Sequence, residues 1–409
     1  MTTTTKDQKR IAIIGGGPGG LTLALILQHH GIPSVIYERE LEDKSHERGG
    51  SLDIHEESGQ QALKEAGLYE AFQKVARYEG EDFRLFDKTG ECFMDEVADE
   101  NAPGGRPEID RGVLCDLLLS KLDPAIIRYG YKLDKAVSLS NGMTELYFEN
   151  GFVDTVHLVV GADGAFSRIR RLLSDTDVSY SGLTMLELNV EDAAKRYPDL
   201  AAFNRRGKVF ALDDHKGILG QLNGDGRIKV YASLWVDREW LETSGIRSEN
   251  PQEAKAKLLE IFQDWDESLK NYIRYAADAV LPRRIYMLPV GFKWKRNSGV
   301  TLIGDAAHVM SPFAGEGVNM AMQDAMELAL AIVRNEDQAK AIEDYEEKMY
   351  AYSSEMARES NDNLVLCFSD DAARKLNELM NSYHEQYNEA KSSLKSGFTI
   401  RFRHDIRKV

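Results

Sequence analysis

Gly15-Gly16-Gly17-Pro18-Gly19-Gly20 and the acid Glu38 have the types and spacing to hold the pyrophosphate and ribose of a dinucleotide. Gly15 lets the chain turn tightly, Gly17 lacks a Cβ and admits a pyrophosphate to the backbone, and Gly20 allows a helix to pack closely on a strand. The free N–H groups and positive dipole end of the following helix meet the phosphates. Glu38 is placed to accept hydrogen bonds from ribose hydroxyls. These residues need a strand, a helix and a second strand to position them. Residues 11–14 read as a short buried strand, 21–28 as an apolar helix ended by Gly31 and Pro33, and 34–37 as the second strand.

Two later segments carry related chemistry. After an apolar strand comes Asp163-Gly164-Ala165-Phe166-Ser167-Arg168-Ile169-Arg170, an Asp-Gly-x-x-Ser-x-x-Arg pattern. Asp163-Gly164 suits a turn at the strand's end, and Ser167 can cap the helix that follows. Gly304-Asp305 closes another buried strand, where the Asp305 carboxylate can meet a ribose or ribityl hydroxyl. Downstream, Gly315 and Gly317 let backbone approach a flat ring and begin a helix whose N–H groups can face a polar ring edge. His308 and His55 read as helix-start or core histidines. No His/Cys/Asp cluster has metal-ligand spacing, and no Gly-x-Ser-x-Gly nucleophile turn is present.

The 409 residues suit two domains and an appendage, and 43% hydrophobic with 29% charged residues is an ordinary globular balance. A net charge of −16 argues against a nucleic-acid surface or an anionic membrane. Cys92, Cys115 and Cys367 are widely spaced, which suggests free thiols in a reducing compartment. The N-terminus is polar and no apolar stretch approaches the ~20 residues of a membrane span, so a cytoplasmic location is expected. The pattern predicts a helix over 57–66 ended by Gly67, a hairpin over 83–96 turning at Lys88-Thr89-Gly90, and an amphipathic helix from Asp110. A single apolar strand is expected over 155–160. Between about 180 and 281 come strand-like runs (208–212, 217–222, 228–236) and a helix over 252–265. A buried strand at 299–303 follows, and the chain is mostly helical from Asn319. The nucleotide-binding domain is therefore assigned to 1–76, 105–178 and 284–330, an inserted antiparallel-sheet domain to 77–104 and 179–283, and bridging helices to 331–409.

Together the three motifs resemble the p-hydroxybenzoate hydroxylase-like (class A) FAD-dependent monooxygenases, from Arg10 to about Leu330. The resemblance implies an α/β fold: a Rossmann-like FAD-binding domain, an inserted antiparallel-sheet substrate domain and a C-terminal helical segment. It implies that Gly15, Gly17, Gly20, Glu38, Asp163, Asp305, Gly315, Gly317 and Val318 lie at FAD. More narrowly, Gly49-Gly50-Ser51-Leu52-Asp53-Ile54-His55, Pro107-Glu108-Ile109-Asp110-Arg111 and residues 304–319 are similar to the tetracycline-inactivating flavin monooxygenases. That similarity adds Asp53 and Arg111 to the FAD contacts. A cation at a helix start opposes the dipole, which favours a ligand role for Arg111.

The same group uses a Gln and an Arg in its substrate sheet, where this chain has Glu187 and Lys208. These are read as substrate contacts, with Pro312, or as solvated sheet residues. Arg39 and Arg48 are read as NADPH phosphate contacts or as solvated loop residues. His46 stands where that group has an Arg, and Glu316 stands where it has a Gln beside the isoalloxazine. The resemblance implies that NADPH (or NADH) reduces the flavin and that O₂ then forms a C4a-hydroperoxide. One oxygen goes to a polycyclic or aromatic small molecule, and a tetracycline-like substrate would imply a role in antibiotic resistance. With one dinucleotide fingerprint, NAD(P)H is a transient co-substrate. Leu364, Leu366 and Phe368 either close the substrate pocket or pack between helices. A monomer whose partners are its substrate and O₂ is expected. The alternative is a reductase or dehydrogenase of the same fold that inserts no oxygen.

Overall fold

The computed structural model describes residues 10–42, 49–99, 105–277 and 279–395. The opening unit forms as expected, as strand Ile11–Ile14, helix Pro18–His29 and strand Ser34–Glu38. The helix begins three residues earlier than its apolar pattern suggests. Pro18 occupies the first turn, where its missing N–H has no partner to lose. All of residues 18–27 are buried, because the helix lies between the sheet and a later helix, Gly317–Arg334.

Ile11–Ile14 is the middle strand of an all-parallel sheet in the order Val300–Leu302, Leu158–Gly161, Ile11–Ile14, Ser34–Glu38, Ile127–Tyr129. Its register sets Ile14 beside Gly161, and Gly161 beside Leu302. The glycine turn, the Asp-Gly turn and the Gly-Asp turn therefore leave one carboxyl-end edge side by side. Ligands of open parallel sheets bind at that edge.

The expected single strand over 155–160 is two strands in two sheets. Val153–Val156 completes an antiparallel meander with Leu133–Ser138 and Thr144–Phe148, while Leu158–Gly161 joins the parallel sheet. His157 is the crossover, and the N–H groups of His157 and Leu158 both reach the Arg10 carbonyl. Continuous apolar character gave no sign of the change of partner.

The second sheet has seven strands in the order Leu281–Met287, Ser179–Val190, Ile228–Trp235, Lys216–Leu222, Lys208–Asp213, Phe83–Phe86, Cys92–Glu96. It is antiparallel except where Phe83–Phe86 lies parallel to Lys208–Asp213. Leu281–Met287 carries this sheet past residue 284. Alternation along Ser179–Val190 sends Leu186, Leu188 and Val190 into a core with Phe262, Trp265 and Tyr272, and sends Leu183 and Met185 to the opposite face. The helix expected over 252–265 stops at Ile261. A second helix, Glu267–Arg274, starts where Asp266 accepts the Ser268 N–H at 2.9 Å.

Two long helices, Gln338–Cys367 and Ala372–Lys395, end the described chain. The first packs on Gly317–Arg334, and the second packs on the hairpin and on strand Lys208–Asp213, so the pair spans both sheets. Leu364 and Phe368 lie in the core beneath the seven-stranded sheet. Phe368 backs Phe313 with ring centroids 5.3 Å apart, so these two residues brace a wall. Cys92, Cys115 and Cys367 are free thiols. Among the described residues no helix is long and apolar enough to cross a membrane.

Candidate active site

A cavity of about 640 Å³ lies between the carboxyl edge of the parallel sheet and the inner face of the seven-stranded sheet. That volume falls within the roughly 300–1,000 Å³ of small-molecule and cofactor sites. Gly17, Gly20, Asp53, Arg111, Asp305, Gly315, Gly317 and Val318 line one side. Glu187 and Lys208 line the sheet side, and Pro312 lies on the loop between.

At the glycine turn, backbone approach is close enough to require glycine. Gly15 has φ +112°, and a Cβ there would lie 2.2 Å from the Ala162 carbonyl oxygen. A Cβ on Gly20 would lie 2.1 Å from the Gly15 carbonyl oxygen. Gly17 differs, because a Cβ would meet only the Arg111 guanidinium, at 3.6 Å, on the cavity side. Arg111 reaches this point because its stem lies across Gly49, where a Cβ would be 2.6 Å from Arg111 Cδ. A cation and an uncapped helix N-terminus thus converge on an open cradle, which suits a pyrophosphate.

Asp305 is exposed to the cavity, and its carboxylate bonds no described residue. The protein around it pushes its pKa upward, opposed by His308, Arg111 and Arg170. A carboxylate left open to the cavity in this way suits a hydroxyl donor. On the same side, the uncapped N-terminus of helix Gly317–Arg334 presents backbone at Gly317 and Val318. The cradle, the open acid and this second helix end fit FAD.

Some expected residues serve differently. Asp163 does not line the cavity. Its carboxylate accepts the Ser167 hydroxyl at 2.5 Å and the Arg168 N–H at 2.7 Å, so it organises its own loop. Gly164, Ala165 and Phe166 face the cavity instead. The motif's last residue, Arg170, is buried and donates to the Ala306 carbonyl at 3.0 Å and the Ala165 carbonyl at 2.6 Å. This residue pins the Asp-Gly loop to the Gly-Asp loop, a role its sequence position did not reveal. Ser167 accepts the Arg170 N–H at 2.9 Å, and only a short 3₁₀ turn, Ile169–Leu172, follows. The Glu38 oxygens accept the Gly16 N–H at 2.6 Å and the Glu40 N–H at 2.8 Å, leaving further lone pairs for a ribose. Arg39 is largely exposed and pairs with Glu40 at 3.5 Å. Arg48 and His46 lie outside the described residues.

Glu187 and Lys208 are not solvated sheet residues. Lys208 bridges Asp53 at 3.4 Å and Glu108 at 2.8 Å. Burial would lower its pKa, but Asp53 and then Glu108 overcome that and hold it above its usual value. His55, fully buried, continues the chain of charge. Its Nε2 is 3.3 Å from Asp53, and its Nδ1 is 3.3 Å from Glu316. Glu316 therefore turns inward to a histidine. Asn319 ties the same segments, accepting the His55 N–H at 2.9 Å and donating to the Asp53 carbonyl at 2.9 Å. His308, by contrast, is a core residue that meets Asp324 at 2.7 Å.

These contacts predict a pH window for stability. Burial would raise Asp53, but Lys208 and His55 hold it well below the usual carboxylate range. Its contribution is present above its usual 3.8 and is lost as pH falls through the depressed value. Burial would lower His55, but the hydrogen bond to Asp53 and the Glu316 carboxylate beside Nδ1 overcome it and raise the pKa. Its contribution is complete below the usual 6.5 and is lost as pH rises through the higher folded value. The melting temperature should therefore decline on the alkaline side, and His55→Gln should flatten that decline. Calorimetric scans of both proteins across the range check this, and an unchanged slope in the variant would rule His55 out.

Known proteins can be set beside this geometry. A family model for the FAD binding domain matches residues 8–107 and 149–360, and the chain belongs to that family. It is 32% identical to the Emericella nidulans monooxygenase asqM over 375 residues, 80% of this chain and 84% of that protein. Its fold superposes on Klebsiella pneumoniae HpxO complexed with FAD and uric acid (TM-score 0.75, 20% identity, covering 92% and 95% of the two chains). It also superposes on the tetracycline destructase Tet(55) (TM-score 0.71, 19% identity, covering 92% and 96%). The protein is an FAD-dependent monooxygenase with the class A architecture.

Proposed function

We propose that the protein uses NADPH or NADH and O₂ to hydroxylate a polycyclic or aromatic small molecule held against the seven-stranded sheet. The observation that carries this reading is one cavity with two unlike walls. The cradle, Asp305 and the Gly317 helix end form one wall. Met185, Phe210, Leu219, Ile285 and Phe313 make the other apolar, with Glu187 and Lys208 among them. When bound, the flavin supplies the redox chemistry, taking electrons from the nicotinamide and passing them to O₂.

The chain's own residues bind and aim. Arg111 and the N-terminus of helix Pro18–His29 would hold the pyrophosphate, and Asp305 would accept a sugar or ribityl hydroxyl. The N–H groups at Gly317 and Val318 would be donors for the polar ring edge. Ser311 and Ser360 exchange hydrogen bonds at 2.8 Å, and Asn363 donates to the Phe313 carbonyl at 2.9 Å. These bonds fix the Pro312–Ala314 turn, which keeps water from the ring face. A tetracycline-like polycycle is the first substrate class to screen, because Tet(55) shares the fold.

The expected result is that NADPH bleaches the flavin anaerobically, and that reaction under ¹⁸O₂ places one labelled oxygen in the product. Bleaching with an unlabelled product would leave a reductase instead.

A further inference from the structure

The cations around the cavity are committed unequally. Arg111 stands at the glycine turn, and Lys208 lies between Asp53 and Glu108. Arg284 donates to the Arg238 carbonyl and pairs with Glu242. Arg283 differs from all three. Its Nε donates to Glu187 at 3.2 Å, its terminal nitrogens bond no described residue, and 55% of its side chain is exposed. Yet it is not loosely held. Glu187 is buried, and its other oxygen takes the Lys229 ammonium at 2.7 Å. Lys229 is only 5% exposed and also donates to the Gly49 carbonyl at 3.1 Å. The carboxylate that orients Arg283 is thus fixed from behind.

Strand register places Arg283 opposite Met185, and Tyr231 opposite Glu187. Arg283 lines the cavity with Met185, Ile285 and Tyr231. Lys229 and Arg283 against Glu187 leave one positive charge in excess, in a chain whose net charge is −16. An anchored guanidinium with an unused planar fork beside apolar side chains is a receptor for paired oxygens on a ring.

We propose that Arg283 determines substrate specificity, its free Nη pair receiving a carboxylate or the paired oxygens of an enolate on the substrate ring. This names the substrate class of the monooxygenase reading and rests on it. Glu187 is the positioning residue, and Lys229 acts through it.

The test uses the FAD-loaded protein and two probes, 3-hydroxy-2-naphthoate and its neutral amide, with binding followed by calorimetry without turnover. The native protein should bind the carboxylate more tightly than the amide by about tenfold or more. Arg283→Gln should remove that preference by weakening the carboxylate alone. Arg283→Lys should restore part of it, because an ammonium supplies charge without the fork. Equal affinities in the native protein, binding of neither probe, or a preference surviving in a folded Arg283→Gln would each overturn the proposal. Anaerobic bleaching by NADPH, run on the same samples, separates failure of this inference from failure of the monooxygenase reading.

Discussion

Gly20→Val is expected to yield a protein without visible flavin absorbance, with FAD affinity reduced at least about 100-fold, the equivalent of roughly 2.7 kcal/mol. Its Cβ would stand 2.1 Å from the Gly15 carbonyl oxygen, so the glycine turn and helix Pro18–His29 must separate. That helix is buried along most of its length, and overpacking costs typically about 1–3 kcal/mol on top of the lost binding. Stability and cofactor content should therefore fall together. Gly17→Val separates the two effects, because a Cβ there would meet only the Arg111 guanidinium, at 3.6 Å, on the cavity side. This variant should melt like the native apoprotein and still fail to retain FAD. Fluorescence titration with FAD, beside thermal melts of both variants, checks the pair. Normal FAD binding by Gly17→Val would show that the pyrophosphate lies elsewhere.

Lys208→Met should destabilise the protein by about 3 kcal/mol at neutral pH, the lower end of the cost of removing one partner from a buried ion pair. The methionine would leave Glu108, 2% exposed, and Asp53 without their common cation. Asp53 keeps His55, while among the described residues Glu108 keeps only neutral side-chain donors, the Ser51 hydroxyl and the Gln221 amide at 3.1 Å. Without the Lys208 cation, Asp53 would titrate upward in the variant. The deficit should thus shrink as pH falls, because native Asp53 then loses its contribution. Urea unfolding at neutral and mildly acidic pH measures it. A deficit independent of pH would mean that lost packing, not charge, is responsible.

The cofactor half of the site could be read from the sequence because backbone does its work. Close approach at Gly15 and Gly20, an acid at a strand end and a helix start at Gly317 all have local signatures. Asp305, which lines the same cavity, carries the same kind of local signature. The substrate half depends on side chains that meet from distant segments. Lys208 and Asp53 are separated by 155 residues, and no local pattern joins a lysine on one sheet to an aspartate on the short strand Ser51–Asp53. His55 looked like a core histidine because its type is common there, and its two carboxylate partners come from different parts of the chain. Arg283 sits in a strand that the alternation of its own residues hardly shows, since Pro282 and Arg284 interrupt it. Asp163 bonds within its own loop, because a short acid at a strand end also serves a turn.

The bond between His55 and Asn319 joins residues 264 positions apart, and Gly59 packs against the same asparagine side chain. In a chain made from its N-terminus, the glycine turn is complete long before this staple can close. Until Asn319 is available, the segment bearing Asp53 lacks this tie to the Gly315 loop. Flavin loading is therefore expected late in the life of the polypeptide. Incorporation of FAD should accompany release of the finished chain, not the folding of its first strand and helix.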